Sequence, residues 1–145
     1  MKIRSESEMI ALGRQFAHLV AAPVVFELIG DVGTGKTTFT RGLAEGLGIA
    51  EPVTSPSFTI SKRYGFDRGE LVHYDFYRLG DPGIMRDELA GTLAAPDAIV
   101  VIEWGGDVAE LLPAQKISLK ITLNEDGSRD ISFNQNAQRI LETAQ

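Results

Sequence analysis

An eight-residue run in the first third of the chain has the spacing of a phosphate-binding loop. The run, Gly30-Asp-Val-Gly-Thr-Gly-Lys-Thr37, matches the pattern G-x-x-x-x-G-K-[ST]. Glycines let backbone amides approach an anion closely, and the start of a following helix adds more amides to the same concave site. We expect Lys36 to reach the β- and γ-phosphates and the Thr37 hydroxyl to ligate Mg²⁺. The predicted nucleotide-binding residues are Gly30, Asp31, Val32, Gly33, Thr34, Gly35, Lys36, Thr37 and the adjacent Thr38.

Two acids are candidates for the metal and water chemistry that such a loop needs. An acid at the end of a neighbouring strand holds Mg²⁺ or its waters, and a further group orients the attacking water. Asp75 follows the apolar run Leu71-Val-His-Tyr74, and Glu103 follows Ile99-Val-Val-Ile102. Because parallel strands end at one edge of a sheet, both acids are expected beside the loop. Either acid can hold the metal's water shell, and the alternative for each is a plain surface carboxylate.

A loop with three hydroxyl side chains precedes the second predicted strand. It contains Thr54, Ser55 and Ser57 around a rigid proline. In GTPases a loop of this kind closes on the γ-phosphate and the metal, so a switch-like role is one interpretation. An ordinary solvated loop is the other.

Several aromatic and basic residues lie next to the candidate acids in sequence. Trp104 follows Glu103 and is interpreted either as a shield for the reacting water, as a surface for stacking, or as core filling. His73 is predicted to be a packed or hydrogen-bonded core histidine. Tyr77 and Arg78 are predicted to order the strand end, with an ion pair as the alternative for Arg78.

Composition restricts the class of protein. A chain of 145 residues with 43% hydrophobic and 23% charged residues is predicted to form one globular domain spanning residues 1–145. The absence of cysteine excludes disulfides, thiol catalysis and Cys-ligated zinc. No apolar run approaches the roughly 20 residues of a membrane span, and the N-terminal residues mix both charge signs. We therefore expect a cytoplasmic protein.

The net charge and the missing motifs narrow the ligand. A formal charge of −6 with scattered lysines and arginines does not suit a protein that grips nucleic acid alone, so any RNA is expected to be held by a partner. The chain lacks the N-K-x-D guanine motif, which favours ATP over GTP. It also lacks the L-S-G-G-Q signature of transporter ATPases and the arginine-bearing lid of small nucleotide kinases.

Hydrophobic periodicity places these residues on elements. An S-x-x-E capping box at Ser5 predicts a helix over residues 5–20, and Val24–Ile29 is typical of a buried parallel strand that enters the glycine-rich loop. A helix is predicted from Lys36 to Leu47 with Gly48 as its stop. The remaining predicted elements are strands at 58–64, 71–76, 98–102, 116–123 and 129–133, with helices at 84–93 and 136–144. This alternation predicts an α/β fold: one P-loop NTPase-like domain with a mostly parallel central sheet, helices on both faces and a C-terminal antiparallel hairpin.

Four short motifs occur in order along the first two thirds of the chain. They are Gly30-Asp-Val-Gly-Thr-Gly-Lys-Thr-Thr38, Val53-Thr-Ser-Pro-Ser-Phe58, His73-Tyr-Asp-Phe-Tyr-Arg-Leu79 and Ile102-Glu-Trp104. They resemble G-D-L-G-A-G-K-T-T, V-x-S-P-T-[FY], H-x-D-x-Y-R-L and [IV]-E-W of the TsaE (YjeE) family, the ATPase subunit of bacterial tRNA threonylcarbamoyladenosine biosynthesis. The chain after residue 105 carries no motif of this kind.

The resemblance implies a role in placing the threonylcarbamoyl group on N6 of adenosine 37 in tRNAs that read codons starting with A. In that pathway the TsaB–TsaD pair transfers the group. The TsaE-type protein binds this pair and hydrolyses ATP to reset it between turnovers, with weak activity alone. Contact with tRNA is then indirect, through the partners.

The motif positions also imply site roles. Lys36 and Thr37 carry over as phosphate and Mg²⁺ ligands, and Asp75 as the Walker-B-like acid. Glu103 carries over as a metal-linked catalytic acid, and Trp104 as an active-site aromatic. The expected catalytic residues are thus Glu103, Asp75 and Lys36, with Thr37 and Glu103 at the metal. Asp75 and Trp104 are also expected to bind the nucleotide, together with the residues of the loop. Two alternatives stand beside this ATPase: a nucleotide-dependent binding switch without significant hydrolysis, and a small P-loop metabolite kinase.

Overall fold

Seven strands form one sheet whose four central strands are parallel. A computed structural model describes residues 1–56, 60–77 and 83–144. Within these residues the strands are β1 (Lys2–Ile3), β2 (Val24–Ile29), β3 (Ser61–Phe66), β4 (Gly69–Asp75), β5 (Ala98–Glu103), β6 (Ile117–Leu123) and β7 (Arg129–Phe133). They lie in the order β1-β7-β6-β2-β5-β4-β3. The pairs β6–β2, β2–β5 and β5–β4 are parallel. The pairs β4–β3, β6–β7 and β7–β1 are antiparallel.

Helices cover both faces of this sheet. The described helices are α1 (Glu6–Leu19), α2 (Lys36–Gly46), α3 (Gly83–Leu93) and α4 (Gln135–Glu142), with a 3₁₀ helix at Gly105–Leu111. Helices α1, α2 and α4 share one apolar core with the sheet, and α3 and the 3₁₀ helix share the other. The predicted α/β fold with helices on both faces is confirmed, as is the C-terminal hairpin. The part of the chain described has no helix long and apolar enough to cross a membrane.

Alternation along the central strands divides the sheet between the two cores. Ile99 and Val101 of β5 face α1 and α2, whereas Val100 and Ile102 face α3. Successive side chains of a strand point to opposite faces, so a strand buried on both sides is apolar throughout. This is why β5 is an unbroken apolar run that ends at its first acid, Glu103.

The start of α1 and the end of α2 have the local signals that the sequence predicts. The Ser5 hydroxyl accepts from the Glu8 amide at 3.1 Å, while Glu8 Oε2 accepts from the amide of Arg4 rather than that of Ser5. After α2, Gly48 has φ +84°, and its amide and that of Ile49 bond back to the last turn of the helix. Only glycine takes this left-handed conformation without a steric cost, so Gly48 ends the helix.

Helices α1 and α2 pack with their backbones in close approach. A Cβ atom on Gly42 would lie 2.2 Å from the Ile10 carbonyl oxygen, and one on Gly13 would lie 2.4 Å from that of Phe39. The rings of Phe16, Phe26 and Phe39 meet below this contact, with centroids 5.7 to 5.9 Å apart. The contact fixes α2, and therefore the loop that precedes it, against the body of the protein.

Two elements were not predicted. Strand β1 has only two residues and exists because Lys2 and Ile3 pair with β7 at the sheet edge. The 3₁₀ helix follows β5 directly and has no long periodic pattern. The predicted strand at 58–64 starts in residues outside those described; the structure describes it from Ser61 and extends it to Phe66.

Candidate functional site

A cleft of about 400 Å³ lies where the parallel strands end. The end of β2 leads into the glycine-rich loop, and β4 and β5 bring their last residues to the same edge. The carboxyl edge of an α/β sheet is the usual ligand position, because loops there leave a crevice. The cleft is lined by Val32, Gly33, Gly35, Lys36, Thr37, Thr38, Ser55, Asp75, Tyr77, Glu103, Trp104 and Arg129.

The glycine-rich loop connects β2 to α2 through two left-handed glycines. Gly33 has φ +83° and Gly35 has φ +108°, conformations that residues with a Cβ rarely adopt. Gly35 is the N-cap of α2, so the amides at the start of that helix open toward the cleft. Such a loop followed by a helix N-terminus makes a concave site for phosphate.

Lys36 lies in this loop with its ammonium turned inward. The residue is 5% exposed, and its Nζ donates to the carbonyl oxygens of Gly30 and Asp31, the latter at 2.9 Å. The Trp104 ring centroid is 4.9 Å from Nζ, a cation–π distance. Burial lowers the pKa of Lys36, and the nearby carboxylates, Glu103 first, oppose this shift. The position suits an ammonium that binds an anion entering the cleft.

The two predicted acids end neighbouring parallel strands. Asp75 and Glu103 are opposite each other in the register of β4 and β5, and both line the cleft. Asp75 is half-buried and accepts from the Tyr77 amide at 3.0 Å and from the Ser55 hydroxyl at 3.5 Å. Glu103 is more enclosed, at 4% exposure. The two carboxylates therefore differ in surroundings although they share one edge.

His73 contacts the more buried acid. It lies two residues before Asp75 on the same face of β4, and its Nε2 bonds to Glu103 Oε2 on the next strand. The ring is fully buried, which confirms the prediction of a hydrogen-bonded core histidine. Diagonal neighbours on adjacent strands are within reach of long side chains, so strand register brings this pair together. His18 is exposed at the end of α1 and takes no part in the site.

Trp104 forms one wall of the cleft in a strained backbone conformation. Its φ of +57° and ψ of +44° are left-handed, which is uncommon for a bulky residue. The turn directs the half-buried indole back over the cleft, where its centroid lies 4.7 Å from that of Tyr77. Strained residues of this kind cluster at functional sites. The indole contacts Lys36 of the loop and also packs against the apolar core that α3 and the 3₁₀ helix share with the sheet.

The remaining predicted residues divide between the cleft and its surroundings. Gly30, Asp31 and Thr34 line a neighbouring groove, and the Thr34 hydroxyl donates to the Asp31 carbonyl at 2.9 Å. Ser55 lies in the cleft, but the Thr54 hydroxyl accepts from Lys62 Nζ at 2.6 Å outside it. Ser57 and Arg78 lie outside the described residues.

Sequence reasoning missed one residue of the cleft. Arg129, the first residue of β7, lines it although it follows the glycine-rich loop by more than ninety positions. Its Nε donates to the Thr34 carbonyl at 2.7 Å and its Nη2 to the Gly33 carbonyl at 3.3 Å. An isolated arginine after a hairpin turn carries no motif, so only the tertiary structure reveals it.

The oxygen donors at the cleft suit a hard cation that is shared with a ligand. Thr37 offers a hydroxyl, and Asp75 and Glu103 offer carboxylates. Mg²⁺ typically binds one or two protein oxygens together with substrate phosphates and water. Residues 1–56, 60–77 and 83–144 contain no group of three or more His, Cys, Asp or Glu side chains that could hold a metal.

Comparison with known proteins identifies the family. The sequence model described as "Threonylcarbamoyl adenosine biosynthesis protein TsaE" matches residues 3–131. The chain is 40% identical over 115 residues to the TsaE protein of Streptomyces coelicolor, covering 78% of each chain. It is 38% identical over 126 residues to that of Bacillus subtilis, covering 87% of this chain and 78% of that protein.

A solved structure agrees with the sequence comparison. The crystal structure of YdiB from Bacillus subtilis superposes with a TM-score of 0.79 and 31% sequence identity. The match covers 99% of this chain and 90% of that one. The chain therefore belongs to the TsaE family of threonylcarbamoyl adenosine biosynthesis proteins.

Proposed function

We propose that the chain is a magnesium-dependent ATP hydrolase that acts with the TsaB–TsaD threonylcarbamoyltransferase pair. In this role it supports formation of the threonylcarbamoyl group on N6 of adenosine 37 of tRNAs that read codons starting with A. Family membership supports the pathway, and the cleft supports the chemistry. We further propose that residues 1–145 act as a single domain in the cytoplasm.

One observation carries the proposal for ATP hydrolysis. Lys36, Thr37, Asp75 and Glu103 come from three different elements and converge on one cleft beside a glycine-rich loop. Phosphoryl transfer requires mainly positioning and electrostatic stabilisation, which a lysine, a hydroxyl and carboxylates around one anion site can supply. A plain phosphate-binding loop would not need two acids at the adjoining strand ends.

The environments of these groups suggest a division of roles. The loop amides and Lys36 would bind and orient the phosphates, with Thr37 and Glu103 as oxygen ligands toward the metal. When bound with ATP, Mg²⁺ would neutralise charge that develops on the phosphates. Glu103 is buried and held by His73, so its free oxygen would orient a water, while the more exposed Asp75 would hold the metal's water shell. Trp104 would exclude bulk water from Lys36.

The surroundings of the cleft support the proposal that activity depends on a partner. Its mouth carries half-exposed Tyr77 and exposed Val32 next to Trp104, apolar groups that a partner could cover. The scattered basic residues and net charge of −6 favour a protein partner over direct contact with tRNA. Low turnover alone and higher turnover with TsaB–TsaD are therefore expected.

The test is ATP hydrolysis by the purified protein with and without purified TsaB–TsaD, together with pull-down of that pair. Binding of the pair and release of inorganic phosphate that depends on Glu103 would support the proposal. ATP binding without hydrolysis under both conditions would favour a nucleotide-dependent switch. A phosphorylated product from a metabolite panel would favour a kinase. Failure to bind ATP would refute the site assignment.

A further inference from the structure

Arg129 connects the C-terminal hairpin to the glycine-rich loop. Its guanidinium donates to three backbone carbonyls: Thr34 at 2.7 Å, Gly33 at 3.3 Å and Gly127 at 3.2 Å. Two of these belong to the loop and the third to the hairpin turn. The backbone of Arg129 is itself paired on both sides, with Ile3 of β1 and Leu123 of β6. The arginine is therefore a rigid support rather than a freely moving surface side chain.

Holding these two carbonyls sets the direction of the next two amides. A peptide unit is planar and trans, so the C=O of one residue and the N–H of the next point in opposite directions. The Gly33 carbonyl faces Arg129, and the following Thr34 amide points back into the loop toward the Asp31 carbonyl at 3.3 Å. By the same geometry, the Thr34 carbonyl faces Arg129 and the Gly35 amide turns away from it.

The neighbouring residues leave little freedom for another arrangement. A Cβ atom on Gly35 would lie 3.2 Å from Met9 Cε and 3.5 Å from Arg129 Nε. The same position on Gly33 meets no atom within 4 Å among the described residues, which places Gly33 on the open side of the loop. Arg129 and Met9 thus support the loop at Gly35, with Arg129 at the edge of the cleft.

We propose that Arg129 is a positioning residue for the phosphate chain of a nucleoside di- or triphosphate. It holds the backbone of residues 33–35 so that the Gly35 amide is directed away from the arginine and is oriented for phosphate before the nucleotide arrives. This reduces the ordering that binding would otherwise require. This inference rests on the proposed function, since it concerns the same nucleotide site. It adds a contribution from a part of the chain that carries no motif.

The fork geometry of arginine makes the proposal testable. A guanidinium bonds two carbonyls in fixed directions, whereas a lysine ammonium keeps the charge but lacks the planar fork. Arg129→Lys and Arg129→Gln are compared with wild type and with Arg139→Gln. Arg139 is an exposed residue of α4 and donates to Asn136 Oδ1, outside the cleft. Affinities for ATP and ADP with Mg²⁺ are measured by titration calorimetry.

Both Arg129 variants are expected to bind ATP and ADP roughly tenfold more weakly, by a similar factor for each, because a charge-assisted pair of hydrogen bonds is lost. The value of kcat at saturating ATP is expected to fall by a smaller factor than the affinity, since the acids are untouched. Without nucleotide, amide hydrogen exchange in the loop should increase in both variants. Arg139→Gln should match wild type in every measurement.

Three results would overturn the proposal. Wild-type affinity in Arg129→Lys would show that the positive charge alone matters. Wild-type affinity in Arg129→Gln would show that neither the charge nor the planar guanidinium is needed. A loss confined to ATP would identify a contact to the γ-phosphate instead. Unfolding midpoints without nucleotide identify any variant that does not fold, and the lysine variant retains the aliphatic stem if the glutamine variant fails. A wild-type protein that binds neither nucleotide would refute the proposed function itself.

Discussion

His73 Nε2 and Glu103 Oε2 share a hydrogen bond across two neighbouring strands, and both side chains are buried. Among residues 1–56, 60–77 and 83–144, Nδ1 of His73 has no hydrogen-bond partner. A hydrogen on Nδ1 would therefore lack an acceptor there, and the network assigns the hydrogen to Nε2. The bond fixes one carboxylate oxygen of Glu103, a residue that also lines the cleft.

Loss of His73 should lower turnover more than nucleotide affinity. In His73→Gln the fixed contact to Glu103 is weakened, and we expect kcat for ATP to fall roughly tenfold, as for residues that orient a ligand of a metal site. Affinity for ATP should change little, because the loop and Lys36 are untouched. The matched control is His18→Gln, at the exposed end of α1. Equal kcat in His73→Gln and wild type would remove this contact from the mechanism.

Glu103→Gln should separate binding from hydrolysis. The amide keeps the size of the side chain but cannot act as a carboxylate toward water or metal, so turnover should fall by about a hundredfold or more. ATP binding, measured by calorimetry, should remain within a few-fold of wild type. Glu142→Gln, at an exposed position of α4, serves as the control. A variant that hydrolyses ATP at the wild-type rate would exclude Glu103 as the catalytic acid.

Binding of ATP should depend on pH through Lys36. Burial lowers the pKa of this ammonium from its usual 10.5, so in the free protein it loses its proton at lower pH than an exposed lysine does. Affinity for ATP should therefore decline as pH rises through that lowered pKa. In Lys36→Met affinity should be weak at neutral pH and should lack this dependence. Calorimetric titrations from neutral pH to about pH 10 test both points. Undiminished affinity in the methionine variant would contradict the assignment of Lys36.

The lowered pKa of Lys36 also affects the stability of the folded protein, and this effect increases with pH whereas the affinity for ATP decreases. In the pH range between the lowered pKa and 10.5, unfolded Lys36 binds more protons than folded Lys36. The free energy of unfolding of the nucleotide-free protein should therefore gain a contribution that rises with pH in that range. Denaturant titrations of wild type and Lys36→Met at several pH values in that range isolate the contribution of Lys36 to the free energy of unfolding. A wild-type curve parallel to that of Lys36→Met would mean that the pKa is not lowered.

The contact between α1 and α2 should not tolerate a methyl group. Gly42→Ala would place Cβ 2.2 Å from the Ile10 carbonyl oxygen, a backbone atom that can move only with its helix. We expect a loss of about 1–3 kcal/mol in the free energy of unfolding, with weaker ATP binding as α2 shifts. Gly91 on α3 is the matched control, because its Cβ position meets no described atom within 4 Å. Gly91→Ala should instead stabilise by about 0.5–1 kcal/mol. Equal effects of the two substitutions, in a urea titration, would contradict the described packing.

Local patterns in the sequence determined the phosphate-binding motif, the strand ends that carry the two acids, and the helices. The spacing of glycines, Lys36 and Thr37 is read within eight residues, and such a loop works mainly through its own backbone. The apolar runs that end at Asp75 and Glu103 placed both acids at one sheet edge, because buried parallel strands are apolar until they leave the core. Helix periods, the Ser5 cap and the Gly48 stop are local for the same reason.

The tertiary structure decided which distant groups meet. Arg129 reaches the loop only because β7 pairs with β6, and β6 with β2, across the sheet. The His73–Glu103 bond depends on the register of β4 against β5, and a one-residue slip would turn one partner to the opposite face. The left-handed turn at Trp104 likewise has no local signal in a bulky residue. Short-range preferences specify elements and motifs, whereas contacts between residues far apart in the chain depend on how the elements pair and pack.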